Sequence, residues 1–147
     1  MFFRILQIAV VFIWFGLVAG ISFVEAPLKF QAPNITIPLG LGIGRLVFFA
    51  LNKIEIILAI LMLISFVKAK PKNKIASAAF RTVVVLLFLE TVWLLPVLDA
   101  RADLILNGET PPQSNLHFIY IVFDAIKLVL LLILGTILLK RNLKSEI

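Results

Sequence analysis

The chain has 147 residues, the size of one ordinary domain, and 62% of them are hydrophobic while only 15% are charged. Soluble domains average about 45–50% apolar and about 25% charged residues, and a small domain keeps much of its surface exposed. A soluble globule cannot hide this much apolar surface, so the composition predicts an integral membrane protein.

The composition also excludes several kinds of site. The chain has no cysteine and a single histidine, His117, so disulfides, thiolate metal sites and iron–sulfur clusters cannot form within it. Its two methionines are too few for a methionine-lined copper path. We predict no cofactor, and the identity of any metal stays unknown. The net charge of +6 is interpreted as membrane topology, and no nucleic-acid partner is predicted.

Four apolar segments are each long enough to cross a bilayer, which takes about 20 residues. Short connections favour sequential antiparallel packing, so we expect an all-α, four-helix up-and-down transmembrane bundle that forms one domain, 1–147. The predicted spans are 5–24, 45–67, 77–96 and 118–139. Between them lie outer loops 25–44 and 97–116 and a basic inner loop, 68–74.

The two outer loops carry different signals. Pro27, Pro33 and Pro38 predict that no regular helix runs through loop 25–44, whose apolar residues favour a position in the membrane interface or a lid over the bundle. In loop 97–116, a short helix is expected to continue the third span past its proline and to end at Asn107–Gly108. Ser114 or Asn115 is the expected N-cap of the fourth span.

Basic residues set the expected orientation, because cytoplasmic loops of membrane proteins are enriched in lysine and arginine. Eight of the fourteen basic residues fall on one predicted side: Arg4, Lys68, Lys70, Lys72, Lys74, Lys140, Arg141 and Lys144. Both termini are therefore predicted to be cytoplasmic. The expected location is the bacterial inner membrane, with the lipid bilayer as the surrounding partner.

Charged residues inside the predicted spans are the strongest functional signal. Lys53 and Glu55 lie in the second span, Glu90 in the third, and Asp124 and Lys127 in the fourth. Each costs about 2.5–3.5 kcal/mol at the bilayer centre, so such residues usually pair or mark a binding site or pathway. Three carboxylates against two lysines leave one carboxylate without a partner. Arg45 reaching inward, a retained proton or a bound cation are the three alternatives.

Helical spacing places these groups on shared faces. His117, Tyr120, Asp124 and Lys127 share one face of the fourth span, and Arg45, Asn52 and Glu55 share one face of the second. We therefore predict a polar pocket for a ligand or ion in the outer half of the bundle. Its residues are Glu25, Arg45, Asn52, Glu55, Glu90, His117, Tyr120, Asp124 and Lys127, with Lys53, Trp93 and Arg101 in possible supporting positions.

Three functions fit this pattern. The first is binding or transport of a small solute or ion, with Glu90 and Asp124 taking a cation or proton and Arg45 and Lys127 holding an anionic group. Because one four-helix protomer is small for alternating access, transport favours a homo-oligomer. The second is a structural or assembly subunit. The third is a membrane enzyme with Glu90 or Asp124 as general base and His117 as acid.

The residues also suggest a family. Gly-x-Ser-Phe-x-Glu-Ala-Pro-Leu-Lys-Phe at 20–30, then Gly-x-Gly-Ile-Gly-Arg-x-Val-Phe at 40–48 and Asn-x-x-Glu at 52–55, resemble small four-helix bacterial membrane proteins of unknown function. Glu-Thr-x-Trp-Leu-Leu-Pro-x-Leu-Asp-x-Arg at 90–101, His117 and the acid-x-x-Lys at 124–127 resemble their second half. The first hairpin is more loosely similar to transmembrane-protein-205-like and copper-resistance-D-like proteins. Neither resemblance implies a particular activity.

Overall fold

The computed structural model describes residues 1–143, which form four long helices and no strand. Their bounds are Phe2–Gln31, Ile37–Lys68, Lys74–Leu106 and Leu116–Leu143, and each is long and apolar enough to cross a membrane. The prediction of an all-helical chain with four candidate spans is confirmed for the described residues.

The four helices pack around one another in chain order. The first helix contacts the second and the fourth, and the third contacts the fourth along most of its length. The second and third helices meet mainly beyond the π-helical segment of the third. Two ends result. The basic end holds Arg4, the turn 69–73 and Arg141, and the far end holds the turns 32–36 and 107–115.

The apolar core lies nearer the basic end, where Trp14, Val83 and Leu134 are fully buried. Gly135 allows the first and fourth helices to approach, since a Cβ there would lie 3.1 Å from a Val11 methyl carbon. Gly16 and Gly20 share the small-residue spacing that permits close helix contact. Within the described chain, however, nothing lies within 4 Å of a Cβ built at either of them.

The helices extend well into the segments predicted as outer loops, and this corrects the expectation for 25–44. The first helix continues through Pro27 because it widens into a π-helix over Ala19–Glu25, where the Ala26 N–H bonds to the Ile21 carbonyl. A proline ring clashes with the carbonyl four residues earlier in a regular α-helix, and a local change of helical register relieves that clash.

The third helix also continues through a proline that follows a π-helical segment. Its π-helical segment, Glu90–Leu94, also ends two residues before a proline, Pro96. The helix then runs on to Leu106, and Asn107 and Gly108 end it as predicted, with Gly108 at a φ of 82°. The fourth helix begins at Leu116, whose N–H bonds to the Ser114 hydroxyl.

Only the turn 32–36 separates the first two helices, so residues 25–44 do not form a long lid. Thr36 caps the second helix by accepting a hydrogen bond from the Leu39 N–H. Pro38 lies in the first turn of that helix, where its missing N–H removes no hydrogen bond. Of the three prolines, only Pro33 lies outside a helix.

Candidate functional site

A buried ion cluster ties three of the helices together. The Lys127 ammonium lies 2.8 Å from Glu55 Oε1, 2.5 Å from Glu90 Oε2 and 2.8 Å from Asp124 Oδ1. All four side chains are 0% exposed. We call this group the carboxylate cluster. Helical spacing predicted that these four residues would share a pocket, and the structure brings them into direct contact.

The first helix joins the cluster through Trp14, which the sequence analysis did not single out. Its indole N–H donates to Glu55 Oε1 at 2.7 Å, and the ring is fully buried. A buried indole usually finds a hydrogen-bond partner, so a tryptophan in a span without formal charges was the available signal. Glu55 thus contacts both the first and the fourth helix, whereas Asp124 accepts no hydrogen bond from any described side chain.

The cluster has more negative than positive formal charge. Lys53, the second lysine of the charge count, is exposed on the outside of the bundle. Arg45 does not reach inward either, because its guanidinium pairs with Asp99 Oδ1 at 2.5 Å and with Asp103. Three carboxylates therefore surround one ammonium, and Arg45 is excluded as the missing partner. A retained proton or a bound cation remains.

Several polar atoms beside this excess charge have no hydrogen-bond partner among the described residues. They are Glu90 Oε1, both carboxylate oxygens of Asp124 and the Tyr120 hydroxyl, all fully buried. Asp124 Oδ1 is within ion-pairing distance of Lys127 but accepts no hydrogen bond. Buried polar groups are nearly always satisfied, and the exceptions mark positions where a proton, water or ligand belongs.

A cavity of about 600 Å³ connects this position to the far end of the bundle. Asp124 and Tyr120 line its inner part, and His117 lies two helical turns further out on the same helix. The walls are mostly apolar and rich in phenylalanine, and Phe48 meets the Tyr120 ring edge to face at 5.3 Å. The cavity thus has aromatic walls and ends at a buried carboxylate, that of Asp124.

Lys29 is a further cavity residue that the sequence analysis missed. Its ammonium lies 5.4 Å from the centre of the Phe48 ring and 5.7 Å from that of Phe30, and 3.3 Å from Glu25 Oε2. A Cβ at Gly44 would lie 3.0 Å from this ammonium. The glycine therefore leaves the space that Lys29 occupies. The aromatic walls of the cavity therefore already contact a cation, the ammonium group of Lys29.

The remaining predicted pocket residues divide between the cavity and other surroundings. Arg45, Arg101 and His117 line the outer part of the cavity, and Arg101 donates to the Pro112 carbonyl. Glu25 does not line the cavity itself but forms an ion pair with Lys29, which does. Three residues lie outside the cavity and the cluster: Asn52, which donates to Thr91 Oγ1 at 2.9 Å, exposed Lys53, and Trp93, which is 43% exposed.

The described residues contain no group of three or more His, Asp or Glu side chains placed to hold a metal ion. The three carboxylates do converge, but the Lys127 ammonium occupies the position between them. A divalent cation would compete with that fixed charge, whereas a proton or a singly charged cation beside Asp124 would complement the remaining negative charge.

No protein-family model, no curated protein and no solved structure matches the chain. The suggested likeness to small four-helix bacterial membrane proteins, and the looser one of the first hairpin, therefore stay predictions.

Proposed function

We propose that this protein binds a small organic cation, such as a protonated amine or a quaternary ammonium ion, in the far-end cavity, and that binding displaces a proton from the carboxylate cluster. The observation that carries the proposal is the position of Asp124. It belongs to a cluster with excess negative charge, and its buried side chain lies at the inner end of the cavity.

The charge balance supports proton retention in the empty state. An uncompensated ion in a low-dielectric interior costs several kcal/mol, so a buried carboxylic acid without a basic partner keeps its proton. Glu55 has both oxygens engaged, since Oε1 accepts hydrogen bonds from Trp14 and Lys127 and Oε2 accepts one from Lys127. Glu90 has one oxygen and Asp124 has two that accept no hydrogen bond, so these two carboxyl groups offer the positions where the cluster can hold a proton.

The chemistry of the cavity selects the class of solute. Aromatic rings attract organic cations through their negative faces, and apolar walls favour a weakly hydrated ion over a small metal ion. The Lys29 ammonium above the Phe30 and Phe48 rings illustrates this attraction within the chain. A cation that displaces Lys29 from these rings reaches Asp124, where the cluster provides the opposite charge.

In the same proposal the four helices cross the bacterial inner membrane with both termini in the cytoplasm, so that the cavity opens to the periplasm. The basic residues at one end support this orientation. Proton-for-cation exchange at one site is the elementary step of a transporter. Since one bundle is small for alternating access, transport would require a homo-oligomer.

The direct test is cation binding to the purified protein in detergent. The probes are tetramethylammonium to tetrabutylammonium, with sodium as the control for ionic strength. We expect one of these ions to raise the melting temperature and to release about one proton in weakly buffered solution. Asp124→Asn should weaken binding by about thirtyfold or more, since removing one partner of a buried charge pair costs about 2 kcal/mol or more.

Glu109→Gln is the matched control, because Glu109 is an exposed carboxylate outside the cavity. We expect it to bind the cation like the wild type. Equal binding by wild type and Asp124→Asn would contradict the proposal. Loss of stability in Asp124→Asn without any cation response in the wild type would instead favour the structural or assembly function.

A further inference from the structure

A second cavity, of about 820 Å³, lies at the basic end, far from the carboxylate cluster. Its lining includes no acidic residue of the described chain. Six basic side chains line it: Arg4, Lys68, Lys70, Lys72, Lys140 and Arg141. They come from the start of the first helix, the end of the second helix with its turn, and the end of the fourth. We call this cavity the basic cleft.

Enrichment of lysine and arginine on one side of a membrane protein is a general rule, but it does not require the residues to share a cleft. Two basic residues of the same region show the difference. Lys74 is exposed, as the four cleft lysines are, but it is not in the cleft lining, and Arg81 turns back to bond the Ser77 carbonyl at 3.2 Å. Neither lines the basic cleft. The six lining residues therefore share one cleft, an arrangement that the enrichment of basic residues on one side of the membrane does not by itself require.

One arginine in the cleft is held in a fixed orientation. Arg141 donates to Gln7 Oε1 at 2.9 Å and to the Ala69 carbonyl at 3.3 Å, while its Nε is buried without a partner among the described residues. The Arg4 charge repels that of Arg141. Crowded positive charges with an open N–H donor are stabilised by an anion that several of them can share.

We propose that the basic cleft binds a phosphate group, which is the multivalent oxygen anion that arginine and lysine clusters complement best. The phosphate can belong to an anionic lipid headgroup or to a free phosphate ion. Basic pockets between the ends of membrane helices bind phospholipid headgroups in this way. Phe3 and Ile137 in the wall of the cleft offer apolar contacts to the start of an acyl chain.

The test compares two double variants that lose the same charges. The cleft variant is Arg4→Gln with Lys140→Gln, and the control is Arg81→Gln with Lys74→Gln. The purified full-length protein is titrated with short-chain phosphatidylglycerol, with inorganic phosphate and with short-chain phosphatidylcholine as the zwitterionic reference. Binding is measured by native mass spectrometry and by melting temperature.

The cleft variant should bind phosphatidylglycerol about thirtyfold more weakly than the wild type, because each basic residue contributes about one factor of five. The control variant should stay within about twofold, since its residues do not touch the cleft. Tight binding of phosphatidylglycerol alone identifies a lipid headgroup, and equal binding of inorganic phosphate identifies the free anion. If the cleft variant does not fold, exposed Lys140→Gln alone should still lose about fivefold.

Equal loss in the cleft and control variants would overturn the proposal, because it would show only diffuse attraction to a positive surface. Equal binding of phosphatidylglycerol and phosphatidylcholine by the wild type would also overturn it. Neither result depends on cation binding at the far end.

Discussion

Two buried polar networks connect the helices, and they differ in how fully their hydrogen-bonding groups are used. At the basic end the Gln7 amide, 0% exposed, donates to the Ser65 carbonyl at 2.9 Å and to the Ala69 carbonyl at 3.1 Å. Its oxygen accepts from Arg141. The carboxylate cluster, in contrast, keeps unbonded oxygens on Glu90 and Asp124 and surrounds a single ammonium.

This difference separates a structural role from a binding role. A neutral amide with both donor hydrogens and its oxygen engaged has nothing left to offer a ligand, so the Gln7 network fixes the packing of helix ends. A cluster with excess charge and open acceptors has capacity for a proton or a cation.

Lys127→Met should be the most damaging substitution. It leaves three buried carboxyl groups without a counter-charge, and breaking a buried ion pair from one side costs about 3–5 kcal/mol. The free energy of unfolding in detergent, measured by denaturant titration, should fall by that amount. Lys53→Met is the control, because Lys53 is exposed, and it should stay within about 0.5 kcal/mol. Equal stability of the two variants would contradict the assignment of Lys127.

Trp14→Phe should have the next largest effect. It keeps an aromatic ring in the core but removes the N–H donated to Glu55, and a hydrogen bond to a charged group contributes about 1.5–3 kcal/mol. The same unfolding measurement applies. Trp93→Phe, at the half-exposed second tryptophan, should change stability by about 0.5 kcal/mol or less. A similar small effect at both positions would show that the indole does not stabilise Glu55.

Gln7→Leu tests the Gln7 amide, whose donors and acceptor are all engaged. It removes the amide that bonds two carbonyls and Arg141, and leaving such groups unpaired costs about 1–3 kcal/mol. Unlike the cluster variants, it should bind tetraalkylammonium ions as the wild type does. Gln31→Leu at an exposed glutamine is the control for side-chain hydrophobicity. A change in cation affinity in Gln7→Leu would remove the distinction between the two networks.

Asp124→Asn should have the smallest effect on stability, about 1 kcal/mol or less, because Lys127 keeps Glu55 and Glu90 as charged partners and neither Asp124 oxygen accepts a hydrogen bond that the amide would lose. Glu55→Gln should cost more, since Glu55 accepts hydrogen bonds from Trp14 and Lys127. Calorimetric melting of both variants compares them. An Asp124→Asn variant less stable than Glu55→Gln would show that Asp124 has a structural role.

Much of the architecture was predictable, because segment length and apolar content are properties of each helix alone. The cluster was predictable for the same reason, since regular 3.6-residue spacing places Asp124 and Lys127 on one face. Lys53 and Trp93 depart from the prediction because the sequence does not give the rotation of a helix about its axis. Trp93 was expected one helical turn outward on the face of Glu90 and Lys53 about 100° from Asn52, and both lie outside the cluster.

The far end of the first helix was less predictable, because Pro27 did not end that helix, whereas continuation of the third helix past Pro96 was expected. Pro27 and Pro96 each follow a π-helical segment, and no local signal shows that a helix will widen instead of breaking. The extra turns move Asp99 and Asp103 beside Arg45 and place Lys29 against the phenylalanine rings. Contacts of this kind depend on tertiary packing and not on periodicity.

The most direct test of the central claim is infrared difference spectroscopy of the wild-type protein before and after addition of the tetraalkylammonium ion that it binds best. On cation binding, the absorption of a protonated carboxylic acid should be lost and that of a carboxylate gained, with no such change in Asp124→Asn. Cation binding without any change in the carboxyl absorption, or the same change in Asp124→Asn, would contradict the central claim.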